Sequence, residues 1–202
     1  MNLVREVRQA EIDADVKTLS SRGKERNITY GELQPHFAFM IFDEHRLGRD
    51  STVVDLGSGI GNLVVQAAVQ TGCSAFGVEL RPELACLAER IRRATVQECE
   101  ERGICMGNVT LESGDMFAST LLPHWIRQAD LIIVNNKAFS SELNEAIIAR
   151  LLLKAKHGAS IVSTALFITG QRTRYARPRD YETSVGGGKI YVGTRFVFYQ
   201  YL

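Results

Sequence analysis

Short runs of consecutive apolar residues alternate, through the middle of the chain, with segments whose apolar residues recur at helical spacing. Such runs are typical of strands that are buried on both faces of a parallel sheet. They predict strands at residues 52–56, 74–78, 108–113, 129–134 and 159–164. The segments between them predict helices, the longest at 82–103 and 140–156. Their expected end signals are Gly72 as a C-cap, Pro82 in a first turn and Ser140 or Ser141 as an N-cap. This alternation favours an α/β fold with a mostly parallel sheet.

The two ends of the chain carry weaker patterns. Residues 1–19 have apolar positions at roughly helical spacing and predict one or two amphipathic helices, and residues 36–47 predict another. A polar loop is expected after residue 164, and the glycines at 186–188 are expected to introduce a closing β-hairpin over 189–201. The arginines of this polar region are Arg172, Arg174, Arg177, Arg179 and, further on, Arg195.

Composition and charge narrow the class of protein. A chain of 202 residues, 45% of them apolar and 23% charged, suits one ordinary soluble α/β domain. The net charge of +1 argues against a surface devoted to nucleic acid as a whole, although it leaves room for a local basic patch. The four cysteines form no C-x-x-C pair and no histidine stands at zinc-ligand spacing, so no metal site is expected. The sequence shows no signal peptide or transmembrane run, which favours a cytosolic or nuclear protein without membrane association.

A glycine-rich turn follows the strand at 52–56. Gly57, Gly59 and Gly61 stand at alternate positions, where the missing Cβ atoms permit positive φ and a close approach of the backbone to a ligand. Asp55 precedes this turn and Glu79 ends the next strand, which is where ligands of open α/β sheets bind. The carboxylate of Glu79 is placed to accept hydrogen bonds from both hydroxyls of a ribose.

The acid before the turn discriminates between nucleotide ligands. A pyrophosphate site usually has the spacing G-x-G-x-x-G and no preceding acid, whereas here the spacing is G-x-G-x-G after Asp55. A carboxylate repels pyrophosphate but suits a cationic ligand that carries an amino-acid moiety. S-adenosylmethionine (SAM) is such a ligand, and we favour it over NAD and over a purely structural glycine turn.

Polar residues also follow the later strands. Asp115 and Met116 come after the third strand, where Asp115 is favoured as a partner of the adenine amino group; the competing interpretation is a cap for the following helix. Asn135 and Phe139 follow the fourth strand. There the asparagine is expected to orient the substrate amine or the cofactor carboxylate, and the phenylalanine to line the acceptor channel. Asparagine is also a common turn and cap residue.

Two loops before the core allow two interpretations each. Tyr30 and Glu32 flank a glycine just before a helix, and they either close over the methionine end of SAM or form an ordinary helix-entry turn with Pro35. The basic loop at 20–27 is either a solvated loop or a contact to a phosphate backbone.

Three blocks of residues carry a more specific resemblance. They are YGEL at 30–33 with Pro35, VDLGSGIGN at 54–62 followed by VQAA at 65–68, and VNN at 134–136 with Ala138-Phe139. In the order and spacing of these blocks, over roughly residues 28–165, the chain resembles the catalytic core of the disruptor-of-telomeric-silencing family, the non-SET histone H3 lysine-79 methyltransferases.

The resemblance implies a fold and a set of cofactor contacts. The fold is that of a class I SAM-dependent methyltransferase, a Rossmann-like α/β domain with a mostly parallel seven-stranded sheet at residues 49–202, preceded by an N-terminal helical segment and cofactor loop at 1–48. Asn135 is expected to lie beside the transferred methyl group. The residues expected to bind SAM, and its product S-adenosylhomocysteine (SAH), are Tyr30, Gly31, Glu32, Leu33, Asp55, Gly57, Ser58, Gly59, Gly61, Asn62, Gln66, Glu79, Asp115, Met116 and Asn135.

The chain also departs from the family pattern. Lys137 stands where the family has an aromatic ring in the lysine channel, and its charge would repel an incoming ammonium unless it points away. Met116 replaces an aromatic residue, although a thioether also packs on adenine. Residues 184–202 lack the tryptophan-containing motif of the family, so Tyr199 and Tyr201 are candidates for the missing aromatics. The long basic arm with which family members hold nucleosomes is not found.

The function implied by the resemblance is methylation of histone H3 lysine-79 on nucleosomes, in the nucleus, with possible DNA-backbone contacts through the basic loops. Methyl transfer from a sulfonium requires alignment and exclusion of water rather than a strong base. The residues expected to provide alignment are Tyr30, Asn135 and Phe139. The alternatives are a methyltransferase for a non-histone or small-molecule substrate, which would also fit the cytoplasm, and a non-catalytic SAM-binding protein.

Overall fold

A computed structural model of the chain describes residues 2–20, 33, 35–167, 177–183 and 186–194. The helices in these ranges are α1 (Asn2–Ser20), α2 (Pro35–Glu44), α3 (Asn62–Thr71), α4 (Pro82–Glu101), α5 (Leu122–Gln128) and α6 (Ser141–Arg150), with a 3₁₀ turn at Leu152–Lys154. The strands are β1 (Thr52–Leu56), β2 (Ser74–Glu79), β3 (Val109–Ser113), β4 (Leu131–Val134), β5 (Ser160–Ser163), β6 (Arg177–Thr183) and β7 (Gly186–Thr194).

The seven strands form one sheet in the order β3-β2-β1-β4-β5-β7-β6. The strands from β1 to β5 run parallel, and β7 is antiparallel to both of its neighbours. The sequence therefore predicted the fold class and the mostly parallel seven-stranded sheet correctly. Because the order reverses at β1, the carboxyl ends of β1, β2 and β4 lie side by side, which is where an open α/β sheet forms a ligand crevice.

Both faces of the sheet are covered by helices. Alternate residues of a strand point to opposite faces, so Val53 packs in a cluster with residues of α1, α2 and α3, whereas Val54 packs in a second cluster with residues of α5 and α6. All five residues of β1 are buried. This burial explains why the central strands are short and continuously apolar.

The amino ends of the central strands are fastened by one carboxylate. Asp130, just before β4, accepts a hydrogen bond from the backbone N–H of Thr52 at 2.8 Å and forms an ion pair with Lys156. The backbone carbonyl of Asp130 also accepts from the N–H of Ser160, at 2.8 Å. These bonds hold the starts of β1, β4 and β5 together at the edge opposite the crevice.

Most helix ends follow the predicted signals. Gly72 ends α3 with φ 74°, and its N–H donates to the carbonyl of Ala68. Pro82 begins α4. The N-cap of α6 is Ser140, whose side chain accepts a hydrogen bond from the N–H of Leu143 at 3.2 Å. Where one or two helices were predicted at 1–19, the structure has a single helix over Asn2–Ser20.

The structure corrects three predictions of local structure. The helix predicted to reach residue 156 ends at Arg150, because Leu151 and Leu152 turn into the core. The region predicted as a polar loop contains β6, in which Arg177 and Arg179 pair with β7. The glycines at 186–188 lie within β7 and do not precede it.

The described part of the chain contains no helix long and apolar enough to cross a lipid bilayer.

Gly77 provides a test of the packing beneath the glycine turn. A Cβ atom at Gly77 would lie 2.8 Å from both Cβ and Oγ of Ser58 and 2.9 Å from Cγ2 of Val64, so Gly77→Ala forces these groups apart. We expect a loss of about 1–3 kcal/mol from overpacking, measured as a fall of roughly 2–4 °C in Tm for each kcal/mol. Gly48→Ala is the matched control, since a Cβ there meets nothing within 4 Å. Equal Tm values for the two variants would contradict this account.

Candidate active site

A cavity of ≈ 390 Å³ opens at the carboxyl ends of β1, β2 and β4. Its size falls in the range of small-molecule sites. It brings together residues of the glycine turn, the two acids and the segment after β4. The lining residues are Leu33, Asp55, Gly57, Ser58, Gly59, Ile60, Asn62, Leu63, Glu79, Arg81, Leu84, Asn135, Ala138 and Phe139.

The glycine turn has the backbone conformation that its sequence predicts. Gly57, Gly59 and Gly61 have φ values of 82°, 55° and 75°, all in the left-handed region that favours glycine. The N–H groups of Gly57 and Ser58 both donate to the carbonyl of Val78, at 2.9 and 3.0 Å. The turn is thereby fastened to the end of β2, and its backbone lines the cavity directly.

Glu79 is held at both carboxylate oxygens. The residue is 8% exposed; Oε2 accepts from the N–H of Gly59 and Oε1 from the N–H of Arg81, each at 2.9 Å. The guanidinium Nε of Arg81 lies 3.7 Å from Oε1. A carboxylate oxygen accepts more than one hydrogen bond, so Glu79 is oriented in advance and retains capacity for the hydroxyls of a ligand.

Asp55 is the second buried acid of the cavity. It is 3% exposed, and burial together with the nearby charge of Glu79 raises the pKa of Asp55 from 3.8 to about 7. A cationic group that enters the cavity offsets both causes and favours the ionised carboxylate. The cavity therefore suits a cationic ligand, as the sequence predicts.

The segment after β4 is fixed by hydrogen bonds to the end of β5. The hydroxyl of Thr164 donates to Oδ1 of Asn135 at 2.7 Å. Asn136 is 1% exposed; its Oδ1 accepts from the N–H of Ala165 at 2.8 Å, and its Nδ2 donates to Oδ1 of Asn144 at 2.9 Å. Asn135 thus faces the cavity while Asn136 anchors the segment in the interior. The sequence predicted no role for Thr164, Asn136 or Asn144 in fixing this segment. The two adjacent asparagines were nevertheless a signal, because neighbouring side chains at the end of a strand point in opposite directions.

Phe139 reaches the same cavity from the other side of this segment. A Cβ atom at Gly57 would lie 3.5 Å from Cζ of the ring, so the aromatic edge lies close to the glycine turn. The ring also packs against the buried cluster beneath β4. The structure therefore brings Asn135 and Phe139 to one cavity with Asp55 and Glu79.

Asn62 supplies an acceptor that a ligand can satisfy. It lines the cavity at the start of α3, and its Oδ1 is buried without a hydrogen-bond partner among the described residues. Because a buried polar atom normally has a partner, this oxygen fits a ligand that carries a hydrogen-bond donor.

Four of the predicted cofactor residues that the structure describes do not line the cavity; they are Gly61, Gln66, Asp115 and Met116. Gln66 is 6% exposed, and its Nε2 donates to the carbonyl of Pro35 at 2.7 Å, which links α3 to α2. Asp115 accepts from the N–H of Phe117 at 2.8 Å in the turn at 116–118; it does not cap the next helix, α5, whose N-cap position is Leu121. Met116 packs against the buried cluster that contains Val54 and Val134. Their contacts to a cofactor stay predictions.

Several other predicted residues lie outside the described residues. They are Tyr30, Gly31, Glu32, Arg172, Arg174, Arg195, Tyr199 and Tyr201. Lys137 is described, and it is exposed and does not line the cavity. Among the residues that the structure describes, no group of three or more His, Cys, Asp or Glu is arranged to hold a metal ion, and the four cysteines are free.

Residues 9–184 match the profile of the family described as histone methylation protein DOT1. The chain belongs to this family. It is 40% identical over 139 residues to a protein of Chaetomium globosum, and 35% identical over 154 residues to one of Gibberella zeae. Both of these DOT1-family relatives are named "Histone-lysine N-methyltransferase, H3 lysine-79 specific". The matches cover 69% and 76% of this chain but only 27% and 31% of the two relatives, so the chain spans about a third of their length or less.

Comparison of structures supports the fold of this DOT1-family chain independently. The O-methyltransferase from Bacillus cereus in complex with SAH is similar with a TM-score of 0.65 and 14% identity, over 96% of this chain and 90% of that one. The fold is therefore that of the class I methyltransferases, as the sequence predicted.

The raised pKa of Asp55 predicts a pH-dependent stability. The folded protein binds this proton more tightly than the unfolded chain, whose carboxyl has its ordinary pKa of 3.8. The contribution to stability is therefore full below pH 3.8 and is lost as the pH rises through about 7. We expect Asp55→Asn to be more stable than the wild type at pH 8, by more than about 1 kcal/mol, and this advantage to shrink at pH 5.

The measurement is urea unfolding of both proteins from pH 5 to pH 8, followed by fluorescence of the single tryptophan, Trp125, whose ring centroid lies 5.3 Å from that of buried Phe76. The wild type serves as the reference at each pH. If the two proteins differ in their free energy of unfolding by the same amount at every pH in this range, the buried proton does not belong to Asp55.

Proposed function

We propose that this chain is a SAM-dependent protein-lysine methyltransferase that methylates lysine-79 of histone H3 in nucleosomes. The observation that carries the proposal is the meeting of Asp55, Glu79 and Asn135 around one cavity in a chain of the DOT1 family. The relatives in which this substrate is named extend well beyond the length of this chain.

The described residues fit SAM by the chemistry of their donors and acceptors. The carboxylate of Glu79, already oriented by two N–H groups, would accept the ribose hydroxyls. An amino-acid ammonium would favour the ionised form of Asp55, whose pKa is raised to about 7, and the buried Oδ1 of Asn62 offers a further acceptor. Leu33 and the glycine turn supply apolar and backbone surface, and the loop before Leu33, with Tyr30, Gly31 and Glu32, would close the methionine end.

When bound, SAM supplies a methyl group on a sulfonium that is open to in-line attack by an amine. The role left to the protein is to align the amine with this carbon and to exclude water, which can supply about 7–11 kcal/mol of the barrier. Asn135 and Phe139 are the aligning residues of the described cavity, together with Tyr30. We assign no general base, because transfer into an apolar channel lowers the pKa of a lysine and leaves it neutral.

The proposed partners follow from the substrate. Nucleosomal histone H3 would present the lysine, DNA-backbone contacts would involve basic loops such as 20–27, and the protein would act in the nucleus. Lys137 favours a second candidate, a methyltransferase for another protein or a small molecule, because it replaces an aromatic ring of the lysine channel. Because Lys137 is exposed and does not line the cavity, it is only a weak argument against a histone lysine as the substrate.

The assignment of Glu79 predicts a loss of cofactor binding. Each hydrogen bond to a charged group contributes about 1.5–3 kcal/mol, so loss of two of them in Glu79→Ala lowers the affinity for SAH by roughly a hundredfold or more. Isothermal titration calorimetry measures the change. Glu83→Ala, at an exposed position in the first turn of α4, is the control and is expected to bind as the wild type does. Unchanged affinity in a folded Glu79→Ala protein would refute the ribose contact.

Transfer of a radiolabelled methyl group tests the substrate. We expect label on histone H3 in intact nucleosomes and none on nucleosomes in which lysine-79 of H3 is replaced by arginine. Label on free histones or on other proteins of a cell lysate instead would identify a different substrate. SAM binding without transfer to any of them would indicate a non-catalytic protein.

A further inference from the structure

Thr164 connects three positions of the segment that follows β4. It comes directly after β5, is 7% exposed, and its N–H donates to the carbonyl of Val134 at 3.3 Å. Its Oγ1 accepts from the N–H of Lys137 at 3.1 Å and donates to Oδ1 of Asn135 at 2.7 Å. The parallel register pairs Val134 with Ser163, which places Thr164 next to Asn135.

The hydroxyl of Thr164 determines which edge of the Asn135 amide is the acceptor edge. A backbone N–H can only donate, so the hydroxyl oxygen accepts from Lys137 and keeps one proton to donate. If the amide were turned over, its Nδ2 would also donate to this oxygen, and the hydroxyl proton would need another acceptor. In the structure this proton goes to Oδ1 of Asn135. The carbonyl edge of Asn135 is therefore held at Thr164, and the Nδ2 edge is turned away from it.

We propose that Thr164 is a positioning residue that fixes the amide of Asn135 for methyl transfer, an inference that rests on the proposed function. Asn135 lines the cavity, and a half-turn of its amide exchanges a hydrogen-bond donor for an acceptor without changing its shape. Loss of the hydroxyl removes the hydrogen bond that holds the carbonyl edge of this amide. The cofactor contacts of Glu79 and the glycine turn do not involve Thr164, so we expect a larger effect on the chemical step than on cofactor affinity.

Three variants separate the hydroxyl from the bulk of the side chain. Thr164→Val keeps the branched shape and removes the hydroxyl, and we expect kcat on nucleosomes to fall roughly ten- to a hundredfold while the Kd for SAH stays within about twofold. Thr164→Ser keeps the hydroxyl and restores most of kcat. Ser163→Ala removes the neighbouring buried hydroxyl, which donates to the carbonyl of Ala165, and serves as the matched control with near wild-type kcat.

A double-mutant cycle distinguishes positioning from general damage to the segment. If Thr164 acts through the amide, Thr164→Val adds little to the loss of kcat caused by Asn135→Ala alone. Additive losses in the two backgrounds, or a Thr164→Ser protein as slow as Thr164→Val, would overturn the inference. If Thr164→Val does not fold at the assay temperature, Thr164→Cys replaces it and is expected to give an intermediate loss.

NMR of the Asn135 side-chain amide tests the role of Thr164 independently of the proposed function. The side-chain amide protons of Asn135, assigned in ¹⁵N-labelled protein by their loss in Asn135→Ala, are expected as one sharp pair in the wild type and in Thr164→Ser. In Thr164→Val the pair shifts or broadens. An unchanged pair refutes the role of Thr164 even if the wild type transfers no methyl group, whereas an inactive wild type with a shifted pair refutes only the proposed function.

Discussion

The carboxylate of Glu79 joins the two parts of the chain that form one side of the cavity. One oxygen accepts from the N–H of Gly59 in the glycine turn after β1. The other accepts from the N–H of Arg81, the residue that directly precedes α4. Since both donors are backbone N–H groups, the geometry depends on the path of the chain and little on side-chain rotamers. The turn can approach this closely only because its glycines adopt positive φ and because Gly77 leaves room beneath Ser58.

The cavity also contains an unfavourable interaction between two buried carboxylates, those of Asp55 and Glu79. Asp55 is buried beside a second carboxylate, and its raised pKa shows that the folded protein holds this charge at a cost. A protein selected only for stability would place an apolar residue at such a position. The cost is understandable in the proposed site, because a bound cation would supply the opposite charge. The orphaned acceptor on Asn62 has the same explanation.

Local sequence predicted those features that depend on neighbours along the chain. The strands at 52–56 and 74–79, the glycine turn and the caps at Gly72 and Ser140 are set by apolar runs, missing Cβ atoms and short-range hydrogen bonds. The cavity acids were also predictable, because parallel strands bring their carboxyl ends to one edge.

Features that depend on pairing between distant strands were not predictable in this way. Thr164 and Asn135 are 29 positions apart, and nothing near either residue indicates the contact until the register of β4 and β5 is known. Similarly, β6 carries arginines and a proline and has no apolar run, since it is defined by pairing with β7. The early end of α6 follows from burial of Leu151 and Leu152, which helical periodicity alone does not distinguish from continuation of the helix.

The hydrogen bond from Thr52 to Asp130, which holds β1 to β4, constrains the length of β4. With the starts of both strands clamped, the number of residues between Asp130 and Asn135 sets which asparagine of the pair points to the cavity. Side chains alternate along a strand. Deletion of a single residue from β4 would therefore place Asn136 at the cavity and Asn135 in the interior. The position of Asn135 at the cavity therefore fixes the number of residues in this strand.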